Sequence, residues 1–214
     1  VQEMADFVGL AFDLAFKYRS PAIIFADGVI GQMMEKVVLP EQRPRLTNEE
    51  VMARCPWATF GKLKHRGPNI VTSLELDPAE MEKRNIHLQQ KYAEIEEKEV
   101  RYEEIHCDDA EYLIVAFGSC ARIAQKAMEE ARAEGIKVGL LRPITLWPFP
   151  SKAIAERSRQ VKGILTVELN AGQMVEDVRL AVECKVPVEY FGRLGGIVPD
   201  PDEVVTALKE KIIK

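Results

Sequence analysis

The sequence has no run of the roughly 20 apolar residues that a membrane-crossing helix needs, and no basic start followed by an apolar stretch of the secretory kind. It is therefore read as a cytoplasmic chain without a membrane partner. Cysteine is scarce: Cys55, Cys107, Cys120 and Cys184 include no Cys-x-x-Cys pair, which argues against a zinc ribbon or an iron–sulfur cluster held by this chain alone. Reduced thiols are expected. The three histidines, His65, His87 and His106, have no ligand spacing. His106-Cys107-Asp108-Asp109 carries the right atoms for a metal, but adjacent side chains rarely converge on one ion, so a solvated loop is expected and no metal residue is assigned. Excess positive charge is missing too: the net charge of -5 gives no basic footprint for a phosphate backbone, which sets nucleic acid aside as a partner.

What is present is the makeup of an ordinary globular protein, with 214 residues, 47% hydrophobic and 29% charged. Residues 1–20 read as a helix that is apolar around most of its circumference: Phe7, Ala11, Leu14 and Tyr18 form one stripe, and Met4, Val8, Phe12 and Ala15 widen it. After Ser20-Pro21 comes Ala22-Ile23-Ile24-Phe25-Ala26, an unalternating run of the kind found in strands buried on both faces. One helix and one such strand cannot bury each other, so a preceding parallel sheet outside this chain is expected. Asp27-Gly28 closes the strand with turn chemistry, and residues 31–38 suit a short helix. Residues 40–78 hold no period and read as a long connector, anchored to a neighbouring surface by Trp57 and Phe60. From Asp77 to about Glu104 a charged helix is expected. Asp77 would be its N-cap and Pro78 its first residue, with a seam of Met81, Leu88, Ile95 and Tyr102 and the pairs Glu80-Arg84, Glu94-Lys98 and Glu97-Arg101. It reads as a bridging helix between two domains rather than a coiled coil.

Beyond residue 110 strands and helices alternate. Strands are expected at 112–117, 137–141, 163–168 and 186–191, with helices at 121–134, 151–160, 173–184 and 201–213, the pattern of a parallel sheet with right-handed crossovers. Ligands and partners of such sheets approach the carboxyl ends of the strands. Three turns belong there: Gly118-Ser119-Cys120, where Ser119 suits a helix cap; Arg142-Pro143 with the rigid Leu146-Trp147-Pro148-Phe149-Pro150; and the turn from Glu168 to Met174. The first lacks the Gly-x-Gly-x-x-Gly spacing of a dinucleotide site. Glu168 has no second acid or nucleophile to work with, so capping and contact roles are favoured over catalysis. Gly192-Arg193-Leu194-Gly195-Gly196 suits a contact loop.

The combination of Ser20-Pro21-Ala22-Ile23-Ile24-Phe25-Ala26-Asp27-Gly28, Leu113-Ile114-Val115-Ala116-Phe117-Gly118-Ser119, Leu141-Arg142-Pro143-Ile144-Thr145-Leu146-Trp147-Pro148-Phe149-Pro150, Glu168-Leu169-Asn170-Ala171-Gly172-Gln173-Met174 and Gly192-Arg193-Leu194-Gly195-Gly196 resembles α-type subunits of 2-oxoacid:ferredoxin oxidoreductases, branched-chain (2-oxoisovalerate) type first and 2-oxoglutarate type next. The resemblance covers essentially the whole chain. It implies an α/β fold, with a transketolase-C-terminal-like parallel-sheet domain (108–214) preceded by a linker and charged helix (41–107). Residues 1–40 would be the tail of a thiamine diphosphate pyrimidine-binding domain. It further implies oxidative decarboxylation of a 2-oxoacid to acyl-CoA with reduction of ferredoxin. Thiamine diphosphate, Mg2+, iron–sulfur clusters and coenzyme A would belong to the complete complex and none to this fragment alone. The partners implied are a β subunit that binds thiamine diphosphate and an iron–sulfur cluster, further subunits, and ferredoxin. No catalytic, cofactor or metal residue is assigned here, and the fragment alone is expected to be inactive. Gly118, Ser119, Arg142, Glu168, Asn170, Gln173 and Arg193 are expected to make subunit or domain contacts. An assembly domain of a lipoamide-type 2-oxoacid dehydrogenase or a transketolase-like enzyme is the competing reading.

Overall fold

The structure, a computed structural model, describes residues 1–59 and 64–213. Phe60 lies outside the described residues. The carboxy-terminal half is built on a five-stranded sheet, β1 (Tyr102–Ile105), β2 (Tyr112–Ala116), β3 (Val138–Pro143), β4 (Ile164–Glu168) and β5 (Val188–Gly192), in the order β1-β3-β2-β4-β5. The pairs β2–β3, β2–β4 and β4–β5 are parallel, and β1 adds to the edge of β3 antiparallel, with Tyr102 opposite Pro143 and Ile105 opposite Leu140.

Why β2 reads as an unbroken apolar run is plain from the layers. Successive side chains point to opposite faces, and both faces are covered. Ile114 and Ala116 enter a core with α5 (Gly118–Ala133) and α8 (Pro201–Leu208), while Leu113 and Val115 enter a second core with α6 (Ser151–Arg157) and α7 (Met174–Val182). On α5 the sheet-facing residues are Ala121, Ala124, Ala127, Met128 and Ala131, and the four small ones bring the helix axis close to the strands. A π-helical turn, Lys209–Ile213, follows α8.

The amino-terminal half holds four helices and, among its described residues, no strand before β1: α1 (Gln2–Tyr18), α2 (Gly28–Gln32), α3 (Asn48–Arg54) and α4 (Pro78–Lys98). Several expectations are corrected here. The run Ala22 to Ala26 is not a strand: it has no pairing partner, and Ile23 and Phe25 are 74% and 75% exposed. The short helix occupies Gly28–Gln32 rather than 31–38, because the Asp27 carboxylate caps it by accepting the Ile30 N–H at 2.8 Å. The connector is not wholly irregular, since Thr47 and Glu50 form a capping box that starts α3. Trp57 packs on Phe16 with ring centroids 6.0 Å apart, and Arg19 lies over its face.

Helix α4 starts as expected, the Asp77 carboxylate accepting the Ala79 and Glu80 N–H groups, but it stops at Lys98 rather than 104. Tyr102 therefore belongs to β1 and not to a helical seam. Of the seam only Ile95 is buried, and of the three proposed pairs Glu94–Lys98 forms. The helix ends in a buried cluster around Glu99. Its carboxylate accepts Lys17 Nζ and the Tyr18 hydroxyl, both at 2.7 Å, and the Arg101 guanidinium at 3.0 Å, which joins α1, α4 and the entry to β1. No helix among the described residues is long and apolar enough to cross a membrane.

Candidate functional site

The chain leaves β2 for β3 on one side and returns past β2 to β4 on the other, so the sheet has its topological switch point between the carboxyl ends of β2 and β4. In doubly wound sheets the ligand crevice opens there, because the adjoining helices point their amino termini and free N–H groups into it. The residues that line it are Gly118 and Ser119 at the start of α5, and Glu168 to Gln173 before α7.

Both helix starts are already filled by carboxylates of the chain itself. Glu168, at 1% exposure, accepts the N–H groups of Gln173 (3.2 Å), Met174 (2.8 Å) and Val175 (3.0 Å). A buried carboxylate that satisfies three otherwise orphaned backbone donors is a structural cap. The turn is completed by Asn170, whose Oδ1 accepts the Gly172 N–H at 2.8 Å and whose carbonyl accepts the Tyr190 hydroxyl. Gly172, at φ 97°, lies against Val175 and Tyr190 and takes a backbone conformation that side chains disfavour.

At α5 the carboxylate comes from far away in the chain. Ser119 donates its hydroxyl to Asp27 Oδ2 at 2.5 Å and its N–H to the same oxygen at 3.2 Å. Ser119 is thus not the helix cap expected, since the cap position falls on Phe117 and the hydroxyl points to the amino-terminal half. Burial pushes the Asp27 carboxyl up, but the Ser119 hydroxyl and the backbone N–H groups around it outweigh that and hold it below its ordinary value. Cys120 sits beside this contact, and burial, with Asp27 and Glu168 nearby, pushes its thiol up to about 12. It is a core residue, not a nucleophile.

Of the remaining contact residues, Arg142 lies within β3 rather than after it. It forms a two-point pair with Glu3 of α1 (2.7 and 3.0 Å) and a third contact to Glu103 at 2.9 Å. Arg193 pairs with Glu203 of α8, both side chains partly exposed, and Gln173 is exposed with its N–H held by Glu168. The structure therefore gathers Gly118, Ser119, Glu168, Asn170 and Gln173 around the crevice and leaves Arg142 and Arg193 outside it. Asp27, Glu3 and Glu99 were missed as contact residues. The signal for Asp27 was present in its place just before a helix-forming Gly28-Val29-Ile30, but its second partner lies 92 residues on.

The fit to a phosphorylated cofactor follows from this geometry. Among the described residues no group of three or more His, Cys, Asp or Glu is arranged to hold a metal ion, and at the crevice the N–H groups of Ser119, Gln173, Met174 and Val175 already have carboxylate acceptors. A depression of 540 Å3 lies along α4, lined by Met81, Asn85, Ile86 and Gln89, away from the crevice. At this crevice the described residues do not fit thiamine diphosphate with Mg2+.

With three parallel strand pairs covered by helices on both faces and a crevice that holds its own carboxylates, the carboxy-terminal half is a doubly wound α/β unit by class. Residues 1–106 match the family described as pyruvate flavodoxin/ferredoxin oxidoreductase, thiamine diphosphate-binding, and residues 110–204 match the pyruvate:ferredoxin oxidoreductase core domain II. The chain belongs to the 2-oxoacid:ferredoxin oxidoreductase family, and its relatives are α-type subunits. It is 46% identical to the ketoisovalerate oxidoreductase subunit VorB of Methanothermobacter thermautotrophicus over 98% of this chain and 58% of that protein. To the 2-oxoglutarate synthase subunit KorA of Archaeoglobus fulgidus it is 30% identical, over 94% of this chain and 56% of that one. The chain thus spans little more than half the length of these relatives. In structure it is similar to a 2-oxoglutarate:ferredoxin oxidoreductase from Magnetococcus marinus (TM-score 0.57, 25% identity, 67% of this chain and 25% of that one), determined with 2-oxoglutarate, coenzyme A and succinyl-CoA bound.

Proposed function

We propose that this chain is the positioning part of an α-type subunit in a thiamine diphosphate-dependent 2-oxoacid:ferredoxin oxidoreductase. The substrate class is a branched-chain 2-oxoacid such as 2-oxoisovalerate, converted to acyl-CoA with reduction of ferredoxin. The observation that carries the reading is the 46% identity to a ketoisovalerate oxidoreductase subunit along 98% of the chain, against 30% for a 2-oxoglutarate relative. When bound, thiamine diphosphate supplies an electron sink for the decarboxylated substrate. It is held by residues other than those described here, with Mg2+ and an iron–sulfur cluster on a β-type partner. The family's multi-subunit nature supports such a partner, together with further subunits and a ferredoxin acceptor in the cytoplasm.

The chain's own residues contribute geometry. Arg142 to Glu3, Ser119 to Asp27 and the Glu99 cluster tie the amino-terminal half to the α/β unit. Residues 1–40 are proposed as the end of the cofactor-binding domain, 41–107 as linker and bridging helix, and 108–214 as the transketolase-like domain. Exposed Phe12, Phe16, Ile23 and Phe25 on the first of these are proposed to meet the rest of the assembly, since apolar groups so placed favour a covering surface. Gln173, Asn170 and Arg193 are proposed to face partners at the carboxyl edge of the sheet.

Coexpression with the partner subunits tests the enzyme. CoA-dependent reduction of a viologen dye should be driven by 2-oxoisovalerate at least about tenfold faster than by 2-oxoglutarate, and the opposite order would reassign the substrate. Titration calorimetry of this chain alone with thiamine diphosphate and Mg2+ should show no micromolar binding; such binding would overturn the division of labour. Limited proteolysis should cut first in residues 33–47 or 64–76, and a first cut inside the α/β unit would overturn the domain division.

A further inference from the structure

Helix amino termini at a switch point attract anions because several backbone N–H groups converge there without partners. In this chain the two anions that satisfy them have different origins. Glu168 sits at the end of β4, five to seven residues from the amides it holds, and is buried with them. Its position is set by its own strand. Asp27 is reached through residues 21–27, which belong to no helix or strand.

The Asp27 carboxylate does two things at once. One oxygen accepts the Ile30 N–H at 2.8 Å and so starts α2, while the other accepts both donors of Ser119. Gly118, at φ 59°, brings the α5 backbone so near that an added Cβ would lie 3.3 Å from that oxygen and 4.0 Å from Ile30 Cδ1. Ser119 itself is 6% exposed, so water competes poorly for its hydroxyl. A second tie between these elements, Arg122 to Glu35 at 2.7 Å, joins side chains 61% and 35% exposed and is weakened by solvent screening.

We propose that Asp27 is a strap carboxylate: it fills the anion seat of the switch-point crevice in place of a ligand, and thereby sets where the segment from α1 through α2 lies on the α/β unit. The crevice that related folds open to a phosphorylated ligand here reads another part of the same chain. Asp27 is a positioning residue, and its role deepens the positioning function proposed above and rests on it. The test uses the 214-residue chain alone, so its outcome is independent of substrate turnover in the complex.

Hydrogen exchange should be followed in Asp27→Asn, Ser119→Ala and the double variant. Asparagine keeps one carbonyl to accept the Ile30 N–H but turns an amide donor toward the donors of Ser119, so it separates the cap from the strap. Each single change should speed exchange in residues 28–33 by about tenfold, with β2 and β4 within about twofold of the parent. The double variant should be no faster than the faster single, because both remove one interaction. In Asp27→Ala, added formate should restore slow exchange at the Ser119 amide and have no effect on the parent. Unchanged exchange at residues 28–33 in Ser119→Ala, a double variant whose acceleration is the product of the two singles, or loss of protection throughout β2 and β4 in both singles would each overturn the strap.

Discussion

Two apolar runs of nearly equal length, Ala22 to Ala26 and Leu113 to Ala116, end in opposite environments. The second is a central strand with exposures of 0 to 1%, hydrogen-bonded on both sides to β3 and β4. The first is extended, unpaired and exposed at Ile23 and Phe25. Side-chain composition is alike in the two. What differs is the supply of neighbouring backbone, since a strand exists only where another strand takes its N–H and C=O groups. The same contrast separates the two halves of the molecule. The α/β unit is held by two apolar cores, and the amino-terminal half is tied to it by a few charged and hydroxyl contacts, Asp27–Ser119, Glu3–Arg142 and Glu99 with Lys17, Tyr18 and Arg101, and by the edge-to-face pair of Tyr92 and Trp147.

If the halves differ in this way, core truncations should separate them most. Leu165→Ala, at a fully buried site in β4, should cost about 2–5 kcal/mol in urea unfolding. Phe12→Ala, at 65% exposure, should stay within about 0.5 kcal/mol. Equal losses would break the comparison. Next in size, Glu168→Ala leaves three backbone donors at the start of α7 without an acceptor and should cost on the order of 2–3 kcal/mol by the same measurement. Glu168→Gln, which keeps one carbonyl acceptor, should cost less; a null effect of both would deny the capping role.

The Glu99 cluster sharpens the comparison through pH. Its hydrogen bond with Lys17, then that with Tyr18, lower the carboxyl to about 2 from an ordinary 4.5. A folded value below the unfolded one means that the contribution is complete above about pH 5 and disappears as pH falls toward 2. Because Lys17 is half exposed, solvent screening holds the contribution to on the order of 1–3 kcal/mol. Urea midpoints measured from pH 7 to 2.5 should fall across this window in the parent, and the part of the fall due to this group should vanish in Glu99→Gln. The smallest effect belongs to Arg142→Ala. Its partner Glu3 is largely exposed, so the stability loss should be about 1 kcal/mol or less, and a larger one would make this contact a main tie between the halves.

The four parallel strands and the helices between them were legible because their signals are local. β2, β3 and β4 are covered on both faces and therefore read as unbroken apolar runs, and Asp77-Pro78 and Gly135 mark helix ends by their own chemistry. The edge strand β1 was not legible. Tyr102-Glu103-Glu104-Ile105 carries a helix-compatible charge pattern, and it becomes a strand because β3 offers a free edge to pair with. Helix α3 was overlooked although Thr47 and Glu50 spell its capping box, since no apolar face accompanies them.

By itself the sequence determined the family, the order of strands and helices after residue 110, and the clustering of polar turns at one edge of the sheet, all set by residues within a few positions of one another. Only the tertiary structure decided what those turns do. Ser119 and Asp27 are 92 residues apart, and Arg142 and Glu3 are 139 apart. Charge and hydroxyl groups name no partner until folding sets their distance, whereas an apolar periodicity states its own buried face.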